Sequence, residues 1–101
     1  MLASTIVKND SIIITLSGSF NFLDQASFRK SYENQINGKA KNYILDFRQV
    51  TFIDSSSLGM ILLLNDYISD NIKNKITLIN ANPEVLNIFK VANFQQLFHI
   101  K

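Results

Sequence analysis

The 101-residue chain contains no cysteine. Disulfides, thiol chemistry and cysteine-based metal sites are therefore excluded, which suits a reducing cytosol. Its single histidine, His99, cannot form a histidine metal cluster and has no triad context. Proline occurs once and glycine three times, too rarely to mark a domain boundary. No linker, internal repeat or low-complexity tract interrupts the chain. The longest near-continuous apolar run, Leu58 to Leu64, falls well short of the roughly 18–20 residues of a membrane span. Met1-Leu2-Ala3-Ser4-Thr5 offers neither a basic start nor an apolar stretch, so no secretion signal is read. Charge of either sign is also scarce. Ten Lys and Arg against eight Asp and Glu leave a net +2. The positive residues Arg29-Lys30, Lys39, Lys41, Lys73 and Lys75 are scattered, which makes no nucleic-acid footprint. The expectation is one soluble cytoplasmic domain over residues 1–101, with no DNA partner and no direct membrane insertion.

What the chain does have is apolar residues, at 47% against 18% charged. That is the balance of a folded protein. A chain of this length buries roughly 60–70% of its unfolded surface, enough for one core.

Periodicity orders the elements. Ile6-Val7 and the alternating Ile12, Ile14, Leu16 predict a hairpin about Asn9-Asp10, closed by Gly18. Phe28, Tyr32 and Ile36 share a face and predict a helix over 21–37, stopped at Asn37-Gly38. Tyr43 to Phe47 reads as a buried strand. A second helix begins near Ser55 or Ser56, with Leu58, Ile61, Leu62, Asn65 and Ile68 along one stripe. Met60, Leu63, Leu64 and Tyr67 flank that stripe, so the helix is expected to pack on a broad face. Ile76 to Ile79 is the next strand. Asn82-Pro83-Glu84 opens a third helix with Val85, Leu86 and Phe89 inward, and a short helical turn follows at Phe94 to Phe98. The order β-β-α-β-α-β-α predicts an α/β fold with a mixed sheet of four or five strands and about four helices.

The stretch Asp54-Ser55-Ser56-Ser57-Leu58-Gly59 follows a strand and enters an apolar helix. Asp54, Ser55 and Ser56 are all good N-caps, and capping alone accounts for their presence. A serine here is also well placed to carry a phosphate, because the free N–H groups and helix dipole favour an anion. Asp24, Asp46 and Asp54 fall near one end of the predicted sheet. Carboxylates there could hold Mg²⁺, although caps explain them as well. Phe20 and Phe22 belong either to the core or to a contact surface. No Gly-x-Ser-x-Gly elbow, Walker loop or dinucleotide fingerprint is present, and Ser55 has no evident base. Neither an enzyme nor a cofactor is expected.

Phe52-Ile53-Asp54-Ser55-Ser56-Ser57-Leu58-Gly59 resembles the signature of the STAS domain, the sulphate-transporter and anti-sigma-factor-antagonist family. Members commonly read Asp-Ser-(Ser or Thr)-Gly-Leu-Gly there. Gly18, Leu23-Asp24, Ile44-Leu45-Asp46-Phe47, Asn82-Pro83-Glu84-Val85 and Leu97-Phe98-His99-Ile100 fall in family-like order along nearly the whole chain. The resemblance implies a STAS-like single domain and a phosphoacceptor at Ser55, with Ser56 and Ser57 as lesser candidates. It implies a partner surface of Asp24, Asp54, Ser55, Ser56, Ser57, Leu58 and Gly59. The implied partners are an anti-sigma factor that is also a serine kinase, and a serine phosphatase. A non-phosphorylated subunit of a lipid-transport ABC system or larger signalling assembly is the other role the family offers. Two positions depart from the pattern. Ser57 stands where the family usually has glycine, and Ala92-Asn93-Phe94 stands where many relatives have a glycine. Asparagine also tolerates left-handed angles.

Overall fold

The computed structural model describes residues 1–33, 42–68 and 75–101. They build a five-stranded sheet with strands in chain order. Strand β1 (Leu2–Lys8) and strand β2 (Ser11–Phe20) form the antiparallel hairpin. Asn9 in its turn takes a left-handed φ of 56°, which asparagine accepts. Strands β3 (Asn42–Ile53), β4 (Thr77–Ile79) and β5 (His99–Ile100) follow, each parallel to its predecessor.

A 3₁₀ turn at Phe22–Asp24 leads into α1 (Gln25–Glu33); α2 spans Ser55–Ile68 and α3 Pro83–Val91. Right-handed crossovers that always step in the same direction place every connecting helix on one face. The register agrees. Ile12 pairs with Tyr43, and Ile14 with Leu45, which pairs with Leu78; all are buried. Phe28 of α1 meets Phe20 with ring centroids 5.0 Å apart, and Phe89 of α3 meets Phe47 at 5.2 Å. Six of the chain's phenylalanines pack into this single core. The opposite face carries Ile6, Ile13, Ile44, Thr77 and Ile79, all exposed or half-buried.

Several expectations need correction. Gly18 does not close β2. It sits inside the strand at φ 83°, between register shifts, and the strand runs on to Phe20. Strand β3 likewise extends past Phe47 to Ile53. Those shifts place its last inward residues, Val50 and Ile53, three apart, so period-two reading stopped too early. In α2 the inward residues are Ser57, Met60, Ile61, Leu64 and Ile68, a stripe rotated from the expected one. Leu58 packs on the core and Tyr67 meets Tyr32 of α1 with ring centroids 5.5 Å apart, so α2 packs on more than one seam, but Leu62 and Leu63 are exposed. The chain also adds β5 after its last 3₁₀ turn (Phe94–Gln96). Ile36, the Asn37-Gly38 stop and Lys39, Lys41 and Lys73 lie outside the described residues.

Other readings stand. Asn82 caps α3, its Oδ1 accepting Val85 N–H at 2.9 Å, with Pro83 in the first turn. Asn93 takes φ 61°, the left-handed conformation a glycine would otherwise supply after α3.

Candidate functional site

The site forms where β2 and β3 end side by side, with Phe20 paired to Ile53, and the chain turns into α2. Asp54 is the N-cap. Its Oδ1 accepts Ser57 N–H at 2.9 Å, while Ser57 Oγ accepts Asp54 N–H at 3.1 Å. This reciprocal pair is a capping box with Asp and Ser in the two roles. The Ser57 hydroxyl donates to the Phe20 carbonyl and thereby ties α2 to the end of β2.

Ser57 is fully buried (0% exposed). It is consequently neither an accessible phosphoacceptor nor a surface contact, against the sequence reading. Where the family usually has glycine, this hydroxyl adds a bond that glycine cannot make. Ser55 is the reverse case. It is exposed in the first turn of α2, and its hydroxyl makes no hydrogen bond among the described residues. Because Asp54 does the capping, Ser55 has no such duty. Ser56 and Leu58 are half-buried and Gly59 is exposed.

Asp24 lies beneath this surface rather than on it. Its Oδ2 accepts Asn21 N–H at 2.8 Å and its Oδ1 lies 3.1 Å from the Met1 amino group. Burial removes Asp24 from direct contact; it instead holds the 3₁₀ turn that displays Phe22 and Leu23. Phe20 is core, and Phe22 is 64% exposed. Asp46 stands apart, accepting from Arg48 N–H at 3.0 Å and Asn80 Nδ2 at 3.1 Å. Asp24, Asp46 and Asp54 form no metal-holding group among the described residues. His99 is exposed on the edge strand β5.

A shallow groove extends from Ser56 and a second one adjoins it. The first, of about 380 Å³, is lined by Phe22, Gln25, Ser56, Gly59, Met60 and Leu63. The other, about 310 Å³, continues from the shared Gln25, Met60 and Leu63 between α1 and α2 toward Tyr32 and Tyr67. In this apolar rim Phe22, left open in the sequence between core and contact surface, lines the first groove with Leu63, whose exposure sequence reasoning missed along with that of the half-exposed Phe52 on β3. The signal was present in α2, which holds more apolar residues than one inward stripe can use.

A profile of the STAS domain matches residues 3–101. The chain belongs to the STAS domain family. A STAS-domain-containing protein of Pseudomonas aeruginosa is 39% identical over 89 residues, covering 88% of this chain and 86% of that one. Among solved structures, the anti-sigma factor antagonist SpoIIAA in its unphosphorylated form superposes with a TM-score of 0.75 at 20% identity. That match covers 98% of this chain and 86% of the other. The phosphorylated form of SpoIIAA from Bacillus gives 0.68 at 18% identity, over 98% and 90% of the two chains. An anti-sigma factor antagonist from Mycobacterium paratuberculosis gives 0.83 at 9%, over 97% and 82%. At these identities the structural likeness shows the STAS fold.

Proposed function

We propose that this chain is a single-domain partner-switching regulator of the anti-sigma factor antagonist type, acting in the cytoplasm by binding rather than catalysis. Unphosphorylated, it binds an anti-sigma factor that is also the serine kinase, through Ser55, Ser56, Leu58, Gly59 and the apolar rim beside them. Phosphorylation of Ser55 releases that partner, and a serine phosphatase restores binding.

The observation that carries this reading is the division of labour at the start of α2. Asp54 and Ser57 cap each other's N–H groups, leaving the exposed Ser55 hydroxyl unengaged among the described residues. A phosphate there adds about −1.5 to −2 charge beside free first-turn N–H groups, without disturbing the core. Opposite an apolar rim it costs a bound partner several kcal/mol, or orders of magnitude in affinity. That two solved relatives are forms of one antagonist, unphosphorylated and phosphorylated, supports the same reading.

The test is peptide mass spectrometry on protein from its native cell, followed by pull-down with the Ser55→Ala and Ser55→Asp variants. Phosphate is expected on Ser55. Ser55→Ala should hold the kinase partner, and Ser55→Asp should lose it while keeping the native circular dichroism spectrum. An unmodified Ser55 in all growth and stress conditions would replace the switch with a constitutive STAS subunit. Phosphate on Ser56 would move the acceptor by one residue.

A further inference from the structure

The two edges of the sheet are unlike. Strand β5 has two residues, and short edges are poor templates for pairing. Strand β1 has seven residues, Leu-Ala-Ser-Thr-Ile-Val-Lys, in unbroken register with β2. It carries no proline, no bulge and no charge except Lys8 at its tip. Leu2, Ile6 and Val7 on it are all more than half exposed. Apart from Lys8, the usual devices that discourage edge pairing are therefore missing from β1 among the described residues.

We infer that β1 is a self-association edge, pairing antiparallel with β1 of a second copy to form a continuous ten-stranded sheet. A twofold axis through Thr5, the centre of the strand, pairs all seven residues isologously. Ser4 then faces the partner's Ile6, and Leu2 faces the partner's Lys8. The strand's charge pattern suits this pairing and no parallel one. The two Lys8 residues fall at opposite ends, roughly 20 Å apart at about 3.4 Å per residue, beyond the screening length in physiological salt.

Room exists on the helix side. A cleft of about 440 Å³ between β1 and α1 is lined by Leu2, Ala3, Thr5, Ser27, Lys30 and Ser31. The Thr5 hydroxyl donates to the Ser31 carbonyl at 2.7 Å, which places Ser31 close to the axis. The small Ser27 and Ser31 let two α1 helices approach across it, while exposed Lys30 reaches solvent. Lys30 makes the association firmer as salt rises, because screening removes its repulsion of the partner's Lys30. The two Ser55 surfaces end at opposite ends of the sheet, both free. Association is therefore independent of the phosphate switch.

The experiment is sedimentation velocity on the whole unphosphorylated chain, from micromolar to near-millimolar concentration and at two salt levels. A concentration-dependent dimer, tighter in higher salt, is expected. Ser4→Lys with Ile6→Lys juxtaposes like charges across the axis and should weaken it at least ~100-fold, with an unchanged circular dichroism spectrum. Because the chain has no cysteine, Thr5→Cys provides one reporter thiol. Mild oxidation should link two copies through it, since directly opposed antiparallel residues lie within disulfide reach. A monomer at every concentration, or a dimer indifferent to the two lysines, overturns the inference.

Discussion

Asp54 and Ser57 do for α2 what Asn82 does for α3: they accept and donate so that first-turn groups are not left bare. Removing the cap in Asp54→Ala is expected to cost about 1 kcal/mol in urea denaturation. Ser57→Ala should cost about 1–3 kcal/mol, because it also strips the Phe20 carbonyl of its donor in a buried site. Ser55→Ala should stay within about 0.5 kcal/mol of wild type, since its hydroxyl is exposed and unengaged. An equal loss at Ser55 would reassign the cap. Gly59 poses the opposite question. It has an ordinary φ, and a Cβ built there meets nothing within 4 Å. Glycine inside a helix costs roughly 0.5–1 kcal/mol relative to alanine. Gly59→Ala should therefore raise the urea midpoint, and should weaken the proposed partner if that partner's backbone approaches here. Stabilisation with unchanged binding would leave Gly59 outside the interface.

At the scale of the element, α2 separates two apolar populations. Ile61 and Leu64 are fully buried, whereas Leu63 is 54% exposed beside the grooves. Ile61→Ala and Leu64→Ala are expected to cost about 2–5 kcal/mol each. Leu63→Ala should cost well under 1 kcal/mol and instead reduce partner capture. Measuring unfolding and binding on the same three variants tests the split; a large stability loss at Leu63 would place it in the core. The irregular end of β3 serves the same site. Its bulged pairing with β2 keeps Ile53 inward and leaves Phe52 out. The 3₁₀ turn completes the rim, because Asp24 holds that turn from below while Phe22 and Leu23 face out.

At the scale of the molecule, one core on one face of the sheet carries the stability, and its titration is measurable. Burial pushes the Tyr43 phenol from 10.0 up to about 12, with nearby Tyr67 adding to the rise. Burial also raises Tyr32. The folded state thus favours the neutral phenols. Their contribution is fully present below pH 10 and is lost as pH climbs from about 10 toward 12. Unfolding free energy should fall across that window. In Tyr43→Phe the fall should be shallower, as read by urea denaturation at closely spaced pH values. An identical slope in the variant would show that Tyr43 does not drive the alkaline loss.

Much of this architecture was legible in local pattern. Alternation at Ile12, Ile14 and Leu16, the Asn82-Pro83-Glu84 cap, and the Asp-Ser signature after a strand each depend on neighbours in sequence, so spacing alone reports them. Those features determined the element order and the α/β class, and pointed to Ser55. Which face of α2 turns inward was decided only by the sheet. Helical spacing admits several overlapping apolar stripes, and packing over β2 and β3 selects one. Burial of Ser57 and Asp24, exposure of Phe22, and the edge position of β1 among the described residues were likewise tertiary decisions. The two burials rest on contacts between residues far apart in the chain: Ser57 with Phe20 and Asp24 with Met1. No local pattern encodes whether such a partner is within reach.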